Sequence, residues 1–376
     1  MSEQIAQSIE TLVIGGGQAG LAVGYHLKKL GLPFLILDAS QRVGDAWRNR
    51  WDSLRLFSPV RFNSLPGLRF PGRGDSFPTK DEAADYLESY AERFHLPVQM
   101  GVTVDRLLRR GGRFLVTAGS KRFEAANVVV AMANYQRPRL PAFAEDLDPH
   151  IRQLHSHVYR NVRQLEKGNV LIVGLGNSGA DIAIEVARTH PTWLSGKETG
   201  WVPYRIESFF GRYIGVHVIR FIGHRILALN TPIGRKARPN LLHRTPPLIR
   251  VKPQDLNSAG IQRVGRVVGV QGGRPLLADG RALDVKNVIW CTGYEPGFSW
   301  IDLPVFDSMG DPIHFRGIAD IEPGLYFLGL QFLYSMTSAT LNGVGRDAEH
   351  IATTIYSRMR HTARTTPQPS RVTSAA

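Results

Sequence analysis

A chain of 376 residues, 43% hydrophobic and 21% charged, has the composition of one large or two ordinary globular domains, which excludes a disordered protein. No apolar run reaches the length of a membrane-spanning helix, and the single cysteine, Cys291, excludes an internal disulfide and a dithiol redox pair. The formal net charge of +14 is uneven: between Trp201 and Pro253 ten Lys or Arg stand against one acid, Glu207. Such a field draws anions, whether a phosphorylated cofactor or an acidic membrane surface. No nucleic-acid fold signature accompanies it. The opening "MSEQIAQSIE" carries acids and no apolar core, so a secretory signal is not expected and a reducing, cytoplasmic setting is.

The first predicted strand is Thr11 to Ile14, followed by a glycine turn and a helix from Gln18 to Leu30 that stops at Gly31 and Pro33. "FLIL" is a second strand ending at Asp38, completing a parallel βαβ unit. Its turn reads Gly15-x-Gly17-x-x-Gly20. Gly15 permits the tight turn, Gly17 lets backbone approach a pyrophosphate, and Gly20 lets helix pack on strand. The helix N-terminus, at Gln18 and Ala19, offers free N–H groups to phosphates. Asp38, 18 positions past Gly20, stands where a carboxylate accepts ribose hydroxyls.

From Trp47 to Pro78 the composition turns to Pro, Gly, Arg and aromatics, a loop over a cofactor. "TKDEAADYLESYAERF" is an amphipathic helix capped by Thr79, with Tyr86, Leu87, Tyr90 and Phe94 on one side. "FLVTAG" and "NVVVAMA" are strands of the same core, and "RPRLP" is a connector.

A second βαβ unit starts at Asn169, with the turn Gly174-x-Gly176-Asn177-Ser178-Gly179 and a helix ending near Thr189. Its second strand, "TWLSG", delivers no acid; Ser195 and Lys197 stand there instead. Small polar and cationic side chains suit a 2′-phosphate, favouring NADP(H) over NAD(H). Two cradles and a lone cysteine point to a flavin in one and a nicotinamide in the other, with hydride passing between them. The basic aromatic stretch after Trp201 is the least regular part of the chain. "NVIWCTGYEP" and "GLYFLGL" are late strands, and "GVGRDAEHIATTIYSRM" is a closing helix.

The fold class is therefore α/β, with two Rossmann-like dinucleotide-binding domains, the second inserted in the first. The expected division assigns residues 1–148 and 286–360 to an FAD-binding domain. Residues 149–285 form an NADP-binding domain carrying a basic aromatic insertion at 201–250, and 361–376 form a polar, disordered tail.

"GGGQAGL", "GDAWRNRWDSLRLFSP", "FPTKDEAADYL", "LHSHVYRN", "GNSGADIA", "CTGYEPGFSWID" and "LNGVGRDAEHIA" together resemble the flavin-containing monooxygenases, and more closely the single-chain CzcO-like bacterial flavoproteins. The resemblance runs from about Thr11 to Ile355. It departs from the family pattern at Pro149 and Ile151, ahead of His155 and Tyr159, and at Met132 and Ala133. It implies FAD at the first loop, NADPH at the second, and insertion of one oxygen atom from O2 into a small organic substrate through a C4a-(hydro)peroxyflavin. It also places Trp47 beside the FAD, with Arg48 and Arg55 near its pyrophosphate. Gly329 falls where backbone passes the ribityl chain, and a helix from about Asn342 aims its positive end at the flavin. Ser58 and Asn63 fall where the family keeps a polar group near the reacting edge of the ring.

His155 and Tyr159 are helical i,i+4 partners between the domains, if that segment is helical. Phe209 to Leu229 mixes aromatics with Arg212, Arg220 and Arg225, and reads as a buried helix pair, a substrate lid or a peripheral membrane contact. No metal-ligand spacing and no nucleophile elbow are present. The rival enzymatic reading is an NAD(P)H-dependent flavin reductase or oxidase of the same fold. A rival of another class is a flavin-bound regulatory protein linked to ion transport.

Overall fold

The computed structural model describes residues 6–242 and 244–365, so most of the predicted tail lies outside the described residues. Strand β1 (Gln7–Ile14), helix α1 (Gln18–Lys29) and strand β2 (Phe34–Leu37) form the first βαβ unit, with the two strands parallel. Thr11–Ile14 are all buried, which suits an unbroken apolar run in a sheet covered on both faces. A short helix α2 (Asp45–Arg48) follows, then α3 (Lys80–Arg93). Thr79 and Glu82 cap α3 reciprocally: the threonine hydroxyl accepts from the Glu82 N–H at 3.1 Å, and the Glu82 carboxylate accepts from the Thr79 N–H at 2.7 Å. Its predicted apolar side, Tyr86, Leu87 and Tyr90, is buried.

Strands β3 (Val98–Gln99), β4 (Arg106–Arg110), β5 (Arg113–Ala118) and β6 (Lys121–Val130) complete this part. β6 starts earlier than its apolar run, because Lys121–Ala125 pair antiparallel with β5, while from Phe123 onward the strand lies parallel to β1. It ends at Val130, so Met132 and Ala133 belong to the turn beyond it.

The chain then leaves for a second sheet. In order come β7 (Arg137–Pro138), β8 (Arg152–His155), β9 (Val170–Val173), α4 (Asn177–Val186) and β10 (Thr192–Ser195). Helices α5 (Val216–Phe221), α6 (Pro232–Leu242) and α7 (Pro253–Ser258) precede β11 (Gln262–Val264). The hairpin β12 (Val267–Gln271) and β13 (Arg274–Leu277) leads to β14 (Asn287–Trp290) and β15 (Tyr294–Glu295). β11-β10-β9-β14-β8 form one wholly parallel sheet. Val170 and Ile172 face one core, with α4 and α7, and Leu171 faces the other, with Ala144, Leu147 and Ile151. β7 and β15 pair antiparallel, a two-stranded bridge carrying the chain out and back.

β16 (Leu325–Phe327) rejoins the first sheet beside β6, giving the order β3-β2-β1-β6-β5-β4, and α8 (Val344–Thr365) packs on α1. The second domain is thus inserted in the first. Three expected boundaries need correction. Asn287–Trp290 is a central strand of the second sheet, not part of the FAD-binding half, because its four buried residues pair with both β8 and β9. Residues 142–148 join the second core through Ala144 and Leu147. The closing helix runs to Thr365, past the expected tail boundary, and α6 is helix, with Pro239 inside it, in the stretch read as least regular.

Candidate active site: two glycine cradles and the seam between them

The two glycine loops share one local geometry. Gly15 and Gly174 both sit at positive φ, 111° and 118°, where a side chain would be strained. A Cβ on Gly15 would press on the Ala131 backbone at 3.0 Å, and one on Gly174 on the Cys291 carbonyl oxygen at 2.2 Å. In each domain the turn is wedged against the residue that follows the neighbouring parallel strand. Gly17 differs: a Cβ there would meet nothing within 4 Å, so open space faces the backbone. Neither α1 nor α4 has a side-chain N-cap, leaving the first-turn N–H groups at both ends free of that partner.

Around the first cradle the expected residues converge. Asp38 accepts from the Ser40 N–H at 2.7 Å and the Gly16 N–H at 2.5 Å, which pins the carboxylate beside the loop with a lone pair to spare on each oxygen. Trp47 donates its indole N–H to the Gln18 side-chain oxygen at 3.3 Å, and Gln18 donates to the Ala339 carbonyl at 3.4 Å. A Cβ on Gly329, at φ 80°, would come within 3.0 Å of the Ala19 methyl. Gly15, Gly17, Gln18, Ala19, Gly20, Asp38, Trp47 and Gly329 therefore surround one helix N-terminus. Open space at Gly17, an uncapped N-terminus and an acid at the end of β2 fit the diphosphate and ribose of a dinucleotide.

Other expected site residues have partners within the chain. Asn342 precedes α8 but accepts a hydrogen bond from His224 at 2.7 Å, joining it to the basic insertion. Ser58 and Asn63 hold each other: Ser58 donates to the Asn63 side-chain oxygen, and the Asn63 amide donates to the Ser58 and Pro59 carbonyls at 2.8 and 3.2 Å. With Asn63 1% exposed and its amide protons committed, the pair shapes the loop. Arg48 is taken up by Asp85 at 2.8 Å and Glu88 at 3.0 Å, and Arg55 donates to the Phe77 carbonyl at 3.1 Å.

Around the second cradle Asn177 bridges to the insertion, donating to the Pro247 carbonyl at 3.0 Å and accepting from the Ile249 N–H at 2.8 Å. Ser178 and Gly176 line the opening turn, and Gly179 packs its helix on the loop. Ser195, expected at a 2′-phosphate, is buried and committed. It donates to the Gly265 carbonyl at 2.8 Å and accepts from the Val267 N–H at 3.3 Å. Lys197 is exposed just past the strand end. A residue the sequence reading missed lies beside it: Arg263 of β11, adjacent in the sheet, donates to the Gly196 carbonyl at 3.2 Å. Only sheet order could reveal it, since 66 positions separate it from Lys197.

Several contacts across the seam were also invisible in the sequence. Trp51, from the loop after α2, is buried in the second core, and Arg50 donates to the Tyr294 hydroxyl at 2.7 Å. Arg250 donates to the Arg55 and Leu56 carbonyls at 2.7 and 3.1 Å and faces Asp181 at 3.6 Å. A cavity of about 350 Å³ opens here between Asp52, Arg55, Asp181, Glu185 and Arg250. Burial pushes the Asp181 carboxyl up to about 6, against the pull of Arg250.

His155 and Tyr159 are not helical partners: His155 ends β8, and the chain turns back so that the Tyr159 N–H donates to the His155 carbonyl at 3.0 Å. The His155 ring accepts from the His157 N–H at 3.1 Å and donates from Nε2 to the Gly293 carbonyl at 3.1 Å. Burial lowers its pKa to about 4, so the neutral ring clamps β8 to the returning connector. Tyr159 donates to Glu185 at 2.8 Å. Cys291 is partly exposed as a residue, but its thiol is enclosed behind the second glycine turn, and burial pushes it up to about 12.

A discontinuous domain enclosing a second, each with a glycine cradle at the head of a βαβ unit, defines a flavoprotein oxidoreductase of the two-dinucleotide-domain kind. Residues 12–199 match the family model described as pyridine nucleotide-disulphide oxidoreductase, and the chain belongs to that family. An uncharacterized CzcO-like oxidoreductase of Geobacillus kaustophilus is 40% identical over 91% of this chain and 97% of its own. A probable indole-3-pyruvate monooxygenase of Arabidopsis thaliana, YUCCA3, is 29% identical over 93% of this chain and 87% of its own. Among solved structures, a flavin-containing monooxygenase from Stenotrophomonas maltophilia superposes with a TM-score of 0.69 at 28% identity, covering 94% of this chain and 99% of its own.

Proposed function

We propose that the protein is an FAD- and NADPH-dependent monooxygenase that transfers one oxygen atom of O2 to a small organic substrate, at nitrogen, at sulfur or beside a ketone. The observation that carries this reading is the duplicated cradle: two uncapped helix N-termini behind wedged glycine turns, in domains held together along one seam. In this reading α1 and Asp38 hold the diphosphate and ribose of FAD, while Trp47 and Gln18 brace the cofactor's flank. The N-terminus of α4 holds the diphosphate of NADPH, and Lys197 with Arg263 holds its 2′-phosphate. Bound FAD supplies the hydride acceptance and oxygen activation; the chain contributes position, charge and exclusion of water.

The alternative of passing electrons on through a protein thiol gains no support from Cys291, which is enclosed and strongly disfavoured as thiolate. Similarity to monooxygenases along almost the whole chain favours oxygen transfer over simple oxidase chemistry. The test is NADPH consumption under ¹⁸O2 with a panel of amines, thioethers, ketones and 2-oxo acids. One labelled oxygen in the product per NADPH consumed is the expected result. Hydrogen peroxide as the sole oxygen product across the panel would reduce the protein to an oxidase.

A further inference from the structure

The insertion is built inside out. From Gly211 to Ile226 it runs as one continuous helical rod, α5 flanked by the π-helical segments Gly211–Gly215 and Ile222–Ile226. Glycines stand at the closest approaches of this rod to the protein. A Cβ on Gly211 would strike the Arg205 carbonyl, one on Gly215 the Tyr204 ring at 2.4 Å, and one on Gly223 Thr337 at 3.0 Å. The bulky apolar side chains stand outward: Phe209 is 77% exposed, Phe221 60%, Phe210 50%, Val218 49%, Ile214 48% and Tyr213 45%. An ordinary surface helix does the reverse, and this overturns the buried-pair expectation. Leaving so much contiguous apolar surface in water is unfavourable, and a patch of this kind marks a contact surface.

What covers the face follows from charge. Arg220 and Arg225 on the rod, and Arg235 and Lys236 just after it, are exposed, and the stretch from Trp201 to Pro253 holds ten cations against one acid. A second copy of this chain would bring two such fields together, so self-association through this face is electrostatically opposed. A surface that accepts aromatic side chains and also attracts cations is an anionic lipid bilayer. No helix among the described residues is long and apolar enough to cross a membrane, so the rod lies on the surface. We propose that the protein docks peripherally on anionic membranes through Phe209–Ile226, inserting Phe209, Phe210 and Phe221 below the headgroups with the arginines at headgroup level.

The test is flotation of the full-length, FAD-loaded protein with vesicles of phosphatidylcholine alone and of phosphatidylcholine with phosphatidylglycerol. Binding to the anionic vesicles only, weakened by raised salt, is expected. The double variant Phe209→Ser/Phe221→Ser should lower the partition coefficient at least about tenfold, while its flavin absorbance and melting temperature, read separately, establish that it is folded. Should that variant misfold, Arg225→Glu/Lys236→Glu tests the charge arm alone and should also release the protein from the vesicles. Three results would overturn the proposal: no binding to either vesicle, equal binding to both, or a concentration-dependent dimer in sedimentation that the phenylalanine variant abolishes. None of these readouts depends on the reaction catalysed, so their failure is distinct from failure of the proposed activity.

Discussion

A Cβ on Gly20 would stand 1.8 Å from the carbonyl oxygen of Gly15, and Gly179 stands in the same relation, at the same 1.8 Å, to Gly174. Helix and turn touch through backbone in both domains, so the third glycine of each loop is structural. Gly17 is not: space lies where its Cβ would project. Gly20→Ala is therefore expected to destabilise the fold by about 1–3 kcal/mol or more. Gly17→Ala should melt within a degree or two of the parent yet bind FAD at least about tenfold more weakly. Thermal melts and flavin titration of the two apoproteins separate these effects. Equal loss of stability in both variants would sink the division of labour.

The second cradle makes a different claim about cofactor choice. Lys197→Ala and Arg263→Ala should each raise the KM for NADPH about tenfold, the loss of one charge-assisted contact, with a smaller effect on NADH. Ser195→Ala should not discriminate between the two, because its hydroxyl is spent on Gly265 and Val267. Arg263→Lys keeps the charge while losing the fork that reaches Gly196, and should fall between parent and alanine. A matched rise in KM for both nucleotides would mean that these cations serve the fold and not the phosphate.

Both cradles were legible in the sequence because the fingerprint is local: strand, turn and helix lie within thirty residues or so, and each glycine answers one steric demand. Asp38 was legible for the same reason, whereas Trp47 came only through the family resemblance. What escaped was set by tertiary pairing. Arg263 joins Lys197 only through the β10–β11 register, and Trp51 enters the second core only because the loop after α2 crosses the seam. The reading of β14 as part of the outer domain failed because a four-residue apolar strand looks alike in either sheet. The rod at 209–226 misled for the opposite reason. Its composition suggested burial, but its glycines took the buried side and left the aromatics outside.

The clamp formed by His155 predicts an acid limb in stability. In the folded protein its pKa is lowered to about 4, and in the unfolded chain it returns to the ordinary 6.5. Between those values the unfolded state binds the proton and the folded state does not. The stabilisation is thus complete above pH 6.5 and is lost as pH falls toward 4. His155→Gln, which can still donate to the Gly293 carbonyl, should melt lower than the parent at pH 7.5 but show a shallower decline between pH 6.5 and 4.5. Parallel melting curves for the two proteins over that window would remove His155 from the account.

Asp181 should act with the opposite sign. Burial raises its folded pKa to about 6 from 3.8, so between those values the folded state holds a proton that the unfolded state has released. Stability is therefore greatest below pH 3.8 as far as this group is concerned, falls as pH rises toward 6, and stays reduced above it. Asp181→Asn removes the ionisation. It should stabilise the protein at pH 7.5 by up to about 2–3 kcal/mol and have little effect near pH 4, measured by urea unfolding at the two pH values. Arg250 sets the limit on this gain, since its guanidinium, 3.6 Å away, loses a partner while keeping the Arg55 and Leu56 carbonyls and a contact to Glu207 at 3.7 Å. If Asp181→Asn destabilises the protein at pH 7.5, the ion pair outweighs the burial. Arg250→Met should then weaken the seam by a similar amount and slow NADPH oxidation with it.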